Sequence, residues 1–321
     1  MFLSPSARFR REAPATIAAG GRTRGERTSV AETPIRSLAH LSDAMAQTED
    51  VSDASTRDGM PRLGLGTWQN TDPEQCAESV RTALEMGYRH IDTAQAYDNE
   101  EYVGEGLAAA DVDREEVFLA TKVWTSNLAH DDVIETAKES LDRLGVDSVD
   151  LLYVHWPANE YDPEDTLPAF DRLHDEGLIE NVGVSNFEPR HLETANEILD
   201  APIVANQVEM HPLLPQDELV EYGREHGVNL VAYSPLARGE VFDLPEIQAV
   251  AAKHDASPAQ VSLAWLVQRD GVAAIPKATG EDHVRDNFGA LDLDLDAEDV
   301  ETIESIDERS REIDPDFAPW N

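Results

Sequence analysis

The sequence predicts an α/β fold, a (β/α)8 TIM barrel. Three observations predict it. Short apolar runs of strand type alternate with amphipathic stretches of helical period, and the alternation repeats eight times. Those units fill about 250 residues, the usual size of such a barrel. A doubly wound sheet would carry a phosphate-binding turn after its first strand, and Gly64-Leu65-Gly66 does not make one.

The first short strand is Leu63–Thr67, followed by an amphipathic helix over Pro73–Gly87 that closes at glycine. Arg89–Asp92 and Asn99–Ala110 form the second unit; Val117–Lys122 and Asp131–Leu144, ended by Gly145, form the third. Val149–His155 is the fourth strand and Pro163–Glu176 its helix, stopped at Gly177. Ile179–Ser185 with Pro189–Leu199 and Val204–Glu209 with Gln216–His226 continue the rhythm. Asn229–Tyr233 precedes two helical stretches, Leu244–His254 and Pro258–Gln268. Gly271–Ile275 and Asp282–Ala290 complete the eight, and Ala297–Ile306 adds one helix before an irregular tail to Asn321. Gly104-x-Gly106-x-x-Ala109 matches a dinucleotide-binding pattern, but it falls inside a predicted helix instead of between strand and helix. It therefore carries no functional weight.

The barrel domain is expected over residues 59–321. Residues 1–58, rich in Ala, Ser, Thr, Arg and Asp without a sustained period, read as a disordered extension or a mis-called start, with Met45 and Met60 as later starts. Arg10-Arg11 hints at a twin-arginine signal, but only the weakly apolar, Pro/Gly-broken Ala13–Gly21 follows, so no export signal is expected. No apolar run approaches the roughly 18 residues of a membrane helix, so a cytoplasmic location is expected.

The formal charge of the 321 residues is −40. Residues 1–58 carry eight Arg against eight acidic groups, so the whole excess lies in the rest, with 17 basic and 57 acidic groups. Such a surface excludes nucleic acid and anionic membrane as partners and fits a halophilic protein that stays soluble in high salt. A disordered acidic chain is excluded by the periodic apolar segments. Cys76 is the only cysteine, which leaves no disulfide framework and no cysteine metal site. No metal site is expected.

In a barrel of this kind the site is built where strands end at the C-terminal face. The stretch His90-Ile91-Asp92-Thr93-Ala94-Gln95-Ala96-Tyr97 delivers a carboxylate at a strand end and a phenol in the next loop. Alone, such an Asp is more often a cap or turn residue. The following strand ends, however, supply Lys122, His155, Ser185-Asn186, Gln207, Tyr233-Ser234 and Pro276-Lys277. A phenol of pKa near 10 is a poor acid at neutral pH unless a neighbouring ammonium favours the phenolate. Lys122 can do that, and Asp92 can hold Lys122 charged and oriented. His155 can donate to a carbonyl oxygen beside Tyr97, and the set suits hydride reduction of a carbonyl. The chain has only four lysines: Lys122 and Lys277 fall at strand ends, Lys138 and Lys253 on helices.

These residues sit in a series of motifs: Gly64-Leu65-Gly66-Thr67-Trp68, Asp92-Thr93-Ala94-x-x-Tyr97, Thr121-Lys122-Val123-Trp124 and His155-Trp156-Pro157. Then come Gly183-Val184-Ser185-Asn186-Phe187, Asn206-Gln207-Val208-Glu209-x-His211-Pro212, Ala232-Tyr233-Ser234-Pro235-Leu236 and Ile275-Pro276-Lys277-Ala278. In this order they resemble the aldo-keto reductase superfamily over residues 59–317, in the prokaryotic type similar to 2,5-diketo-gluconate reductases. The resemblance implies an NADPH-dependent reductase of small aldehydes, dicarbonyls or keto-sugars, with Tyr97 as general acid assisted by Asp92, Lys122 and His155. It implies Ser185, Asn186 and Gln207 at the nicotinamide carboxamide, with Tyr233 stacked on the ring. It also implies Thr67 and Asp92 at the ribose, Ser234 and Leu236 at the pyrophosphate, Lys277 at the 2′-phosphate and Asn287 at the adenine. Trp68, Trp124 and Trp156 wall the substrate pocket, although a Trp there can equally be barrel packing. A monomer is expected.

Three departures stand out. Many members have Ser after the lysine and Arg six positions beyond it, where this chain has Ala278 and His283, so NADH use stays open. The loop Pro235–Leu244 is shorter than the segment that folds over the cofactor in longer members. The family's N-terminal hairpin is barely visible before Gly59. Two other readings compete with the reductase: a nicotinamide-binding regulatory subunit, and a hydrolase of the same barrel fold, which leaves Tyr97, Lys122 and His155 unexplained.

Overall fold

Alternation along the strands decides which side chains reach the middle of the molecule. The computed structural model describes Thr56 and residues 59–321. The rest of the expected N-terminal extension lies outside the described residues. Eight parallel strands follow one another in chain order: β1 (Leu65–Gly66), β2 (His90–Asp92), β3 (Phe118–Val123), β4 (Leu151–Val154), β5 (Val182–Ser185), β6 (Ile203–Glu209), β7 (Asn229–Tyr233) and β8 (Val272–Ala274). Between and after them come α1 (Pro73–Met86), α2 (Glu100–Ala109), α3 (His130–Leu144), α4 (Pro163–Asp175), α5 (Pro189–Ile198), α6 (Asp217–His226), α7 (Pro245–His254), α8 (Pro258–Val267), α9 (Glu281–Phe288) and α10 (Ala297–Glu304). The result is a curled parallel sheet with alternating helices, a (β/α)8 barrel-like arrangement.

The first and last strands also meet. Leu63 bridges Ala274 and Gly66 bridges Lys277, with Gly64 N donating to Ala274 O at 2.9 Å and Ala274 N to Arg62 O at 2.7 Å. Two glycines permit that approach. A Cβ on Gly66 would stand 2.6 Å from the Ile275 carbonyl oxygen, and one on Gly64 would stand 2.7 Å from the His90 ring.

Two cores follow from the two-residue period. Ala120 and Tyr153 join Met60, Leu151, Ala205, Val231, Ala273 and Ile275 in an inner cluster. Their strand neighbours Leu119, Val123, Leu152, Leu230 and Ala232 belong to the larger cluster against the helices. Parity therefore sends Asp92, Lys122, His155, Ser185, Gln207, Tyr233 and Lys277 inward, in step with the inner cluster.

Helix ends follow local chemistry. Asp72 caps α1 by accepting from Gln75 N at 2.9 Å, and Ser257 and Gln260 form a reciprocal capping box on α8. Gly87, Gly145 and Gly227 end their helices at positive φ. Strand limits differ by a residue or more from the sequence expectation. β3 runs on through Val123, and His155 lies one residue past β4. Ile179 pairs only through an isolated bridge to Val149, which leaves β5 beginning at Val182.

Gly104 and Gly106 have a packing role. A Cβ on Gly104 would lie 2.5 Å from Leu144 O, and one on Gly106 would lie 2.6 Å from Ala77 O, so α2 presses on both α3 and α1. Among the described residues no helix is long and apolar enough to cross a membrane. Because backbone oxygens cannot retreat far, Gly104→Ala is expected to destabilise the protein by about 2 kcal/mol. Urea unfolding of the variant beside the wild type measures this.

Candidate active site

The inward parity brings Asp92, at the end of β2, beside Lys122 of β3, one strand over. Lys122 is fully buried, and its ammonium donates to Asp92 Oδ1 in a short contact and to Thr93 O at 2.7 Å. Gln207 Nε2 of β6 donates to Asp92 Oδ2 at 2.7 Å, so both carboxylate oxygens are engaged. Tyr97 sits in a one-turn 3-10 segment, Gln95–Tyr97, that carries the phenol back over this pair. Lys122 Nζ donates to Tyr97 Oη at 3.4 Å and lies 5.0 Å from its ring centroid. His155 stands edge-on to Tyr97 with ring centroids 5.8 Å apart, and edge-on to Trp124 at 5.0 Å. The four expected groups are thus brought together.

Burial governs their proton affinities. It pushes the Tyr97 phenol well above its ordinary value, with the Asp92 carboxylate and Tyr233 adding to the rise. Burial pushes the Lys122 ammonium down, an effect that Asp92 opposes. His155 is held well below the usual imidazole value by burial and then by the Lys122 charge. The sequence argument gave Lys122 the power to lower the phenol. In the structure the contact is long and desolvation wins, so Tyr97 keeps its proton through neutral pH.

These groups open into one groove of about 1410 Å³. Every expected site residue except Lys122 lines it; Lys122 lies behind Asp92 and Tyr97. Trp68, Trp124 and Trp156 all line it, and Phe317 of the C-terminal tail meets Trp124 and Trp156 edge-on, with ring centroids 6.4 and 5.4 Å apart. Trp68, Phe242 and Phe317 are the exposed large hydrophobic side chains among the described residues, and all three line the groove.

In the middle, Ser185 Oγ donates to Gln207 O at 2.8 Å, Asn186 Nδ2 to His155 O at 3.1 Å, and Tyr233 Oη to Asn186 Oδ1 at 2.8 Å. Thr67 Oγ1 donates to Asp92 O at 3.0 Å. Of the groups expected to meet a carboxamide, Asn186 is thus held by Ser185, Tyr233 and the His155 carbonyl, and Gln207 by Asp92. The far end carries Ser234, Leu236, Lys277, His283 and Asn287. Lys122, Lys138 and Lys253 each pair with carboxylates, whereas Lys277 has no ion pair among the described residues. Five non-glycine residues at positive φ line the groove: Gln69, Asp98, Asn186, Ser234 and Arg238. Left-handed backbone of this sort is tolerated where a site over-determines it.

Several groove residues were not foreseen. The short loop after β7 folds as 3-10 turns over Ala237–Asp243, and its Arg238 guanidinium lies 5.1 Å from the Trp68 ring. Since β1 and β7 flank β8, this contact arches over the end of β8. Gln95 accepts from Trp124 N at 3.0 Å and from Asn127 Nδ2 at 3.0 Å, fixing the loop that carries Tyr97. Its place within the Asp92-to-Tyr97 motif was the available signal. For Arg238 the only signal was a cation in a glycine-bearing loop.

The family model for the aldo/keto reductase family matches residues 62–308. A methylglyoxal reductase of Escherichia coli is 40% identical over 267 residues, covering 82% of this chain and 99% of its own. A glyoxal reductase of Bacillus subtilis is 38% identical over 252 residues, covering 78% and 91%. A solved chain described as a candidate 2,5-diketo-D-gluconic acid reductase B superposes with a TM-score of 0.79 at 35% identity, covering 83% of this chain and 94% of that one.

The buried pair sets a stability prediction. Lys122→Met strands the Asp92 carboxylate and is expected to cost roughly 3–5 kcal/mol, while adding Asp92→Asn recovers more than half of the loss. Chemical denaturation of the single and double variants tests the coupling.

Proposed function

We propose, for a chain that belongs to the aldo/keto reductase family, an NADPH-dependent reduction of small aldehydes, dicarbonyls or keto-sugars with Tyr97 as the proton donor. Carbonyl reduction is the activity for which the two relatives are named; the finer assignments rest on this site. The observation that carries them is the buried contact of Asp92, Lys122, Tyr97 and His155 at the aromatic end of the groove. The bridges joining the first and last strands support reading the curled sheet as a closed TIM barrel.

The groove suits a nicotinamide dinucleotide. It holds about 1410 Å³, it carries buried hydrogen-bonding groups at Ser185, Asn186 and Gln207, and it includes the Lys277 ammonium, which has no acidic partner among the described residues. In a chain of net charge −40, a cation left unpaired among the described residues is a strong feature of anion recognition. Lys277 takes the 2′-phosphate and Asn287 the adenine; Ser234 and Leu236 flank the pyrophosphate, Thr67 and Asp92 the ribose, and Tyr233 the nicotinamide ring. When bound, the cofactor supplies a hydride to the carbonyl carbon.

The chain supplies the rest. Tyr97 hands its proton to the carbonyl oxygen, and Lys122, held by Asp92, stabilises the phenolate that forms. His155 stays neutral and donates a hydrogen bond to the same oxygen. Its Nδ1 is buried without a partner, so donation from Nε2 strands a lone pair and not a proton. Trp68, Trp124 and Trp156 exclude water and favour an uncharged carbonyl.

Tyr97→Phe is expected to abolish carbonyl-dependent loss of NADPH absorbance at 340 nm while cofactor still quenches tryptophan fluorescence; turnover near wild type sinks the mechanism. Lys277→Ala is expected to raise the KM for NADPH at least about tenfold, with the KM for NADH changed far less. Because Tyr97 is raised above its ordinary value, it holds its proton across neutral pH. Reduction is expected to keep a flat kcat/KM from pH 6 to about 10, whereas alcohol oxidation, which needs the phenolate, rises over that interval. A paired pH profile in both directions checks the sign.

A further inference from the structure

The motif Asn206-Gln207-Val208-Glu209-x-His211-Pro212 contains two titratable residues that the reaction above does not use. Glu209, the last residue of β6, and His211 are both fully buried. His211 Nε2 faces Glu209 Oε1 at 2.9 Å, and a carboxylate only accepts, so the ring donates. The same Oε1 accepts from Glu312 N at 2.6 Å, and Oε2 accepts from Ile313 N at 2.9 Å. A carboxylate at the end of a barrel strand therefore grips two consecutive backbone amides of the C-terminal tail.

The tail beyond α10 is irregular and has no ladder of its own to hold it. Its other hydrogen bonds to the barrel among the described residues are Ser310 N to Leu213 O at 3.1 Å and the exposed Arg190 to Pro319 O at 2.8 Å, and Trp320 rests on Trp156 with ring centroids 5.6 Å apart. The Glu209 pair is the charge-assisted and buried one, roughly twice as strong per bond as a neutral contact. Directly after the gripped amides come Asp314, Pro315 and Phe317, which line the aromatic end of the groove. Phe317 lies against Trp124 at 6.4 Å and Trp156 at 5.4 Å between ring centroids.

We infer that Glu209 is a positioning residue for substrate: its buried carboxylate, oriented by His211, clamps the tail and thereby sets Phe317 as the fourth aromatic wall of the pocket. The inference rests on reading that end of the groove as the carbonyl pocket. Glu209 does not touch the reacting atoms, and the clamp acts on the KM of substrates large enough to reach the tail. Glu209 also pairs with Tyr233 across β6 and β7, through backbone and not through the carboxylate that holds the tail.

Two variants test the clamp. Glu209→Gln keeps the side-chain volume but offers one acceptor oxygen to three donors, and Ile313→Pro deletes one donor from the tail; Ile313→Ala, which keeps that donor, is the control for the Ile313 side chain's own place in the groove. In both, the KM for phenylglyoxal is expected to rise roughly tenfold, the loss of a charge-assisted contact or two. The KM for methylglyoxal and the dissociation constant of NADPH stay within about twofold. Hydrogen exchange of residues 312–318 is expected to accelerate at least about tenfold in the same variants. Unchanged exchange overturns the clamp; faster exchange with an unchanged phenylglyoxal KM overturns the tail's role as a pocket wall. Should Glu209→Gln not fold, Ile313→Pro decides alone. A wild-type protein that turns over no carbonyl refutes the reductase reading, while the exchange result still stands for or against the clamp.

Discussion

The buried Lys122–Asp92 pair is the constraint on which the site depends. Removing an ammonium from water costs several kcal/mol even after relaxation, and only a close carboxylate and a further acceptor offset it. Asp92 and the Thr93 carbonyl supply both. The consequence reaches beyond the pair. Because Asp92 must face Lys122, β2 and β3 are fixed in register, with Asp92 opposite Ala120. Because Asp92 also accepts from Gln207, the same carboxylate ties together the two halves of the groove. Tyr97 then has one ammonium at its back and a desolvated pocket around it.

Much of this was legible in the residues. The eight strands, their helices and the inward parity of Asp92, Lys122, His155, Ser185, Gln207, Tyr233 and Lys277 follow from a period of two meeting a period of 3.6. The scarcity of lysine also carried real information: Lys277 alone of the four has no carboxylate partner among the described residues, on a chain crowded with acids. Gly104 and Gly106 illustrate the opposite case. Their spacing imitated a phosphate-binding turn, yet helix crossings at Leu144 and Ala77 account for both.

What could not be read is what depends on distant segments meeting. Arg238 and Trp68 are far apart in the chain and come together only because β1 and β7 flank β8. The tail has no periodicity, so nothing in residues 307–321 announces that Phe317 would reach Trp156. Burial outweighs the downward pull of Lys122 on the Tyr97 phenol for a related reason. Proximity can be guessed from strand order, whereas the balance between a 3.4 Å contact and complete burial needs coordinates.

The position of Phe317 in the chain has a consequence for biogenesis. Asp92, Tyr97, Lys122 and His155 all leave the ribosome in the first half of the sequence, and Lys277 follows with the strand that meets β1. Phe317 is made after all of them. On the proposed reading, the groups assigned to the chemistry are laid down before the aromatic wall that faces them. That wall can be exchanged by a single substitution that leaves Asp92, Tyr97, Lys122 and His155 as they are.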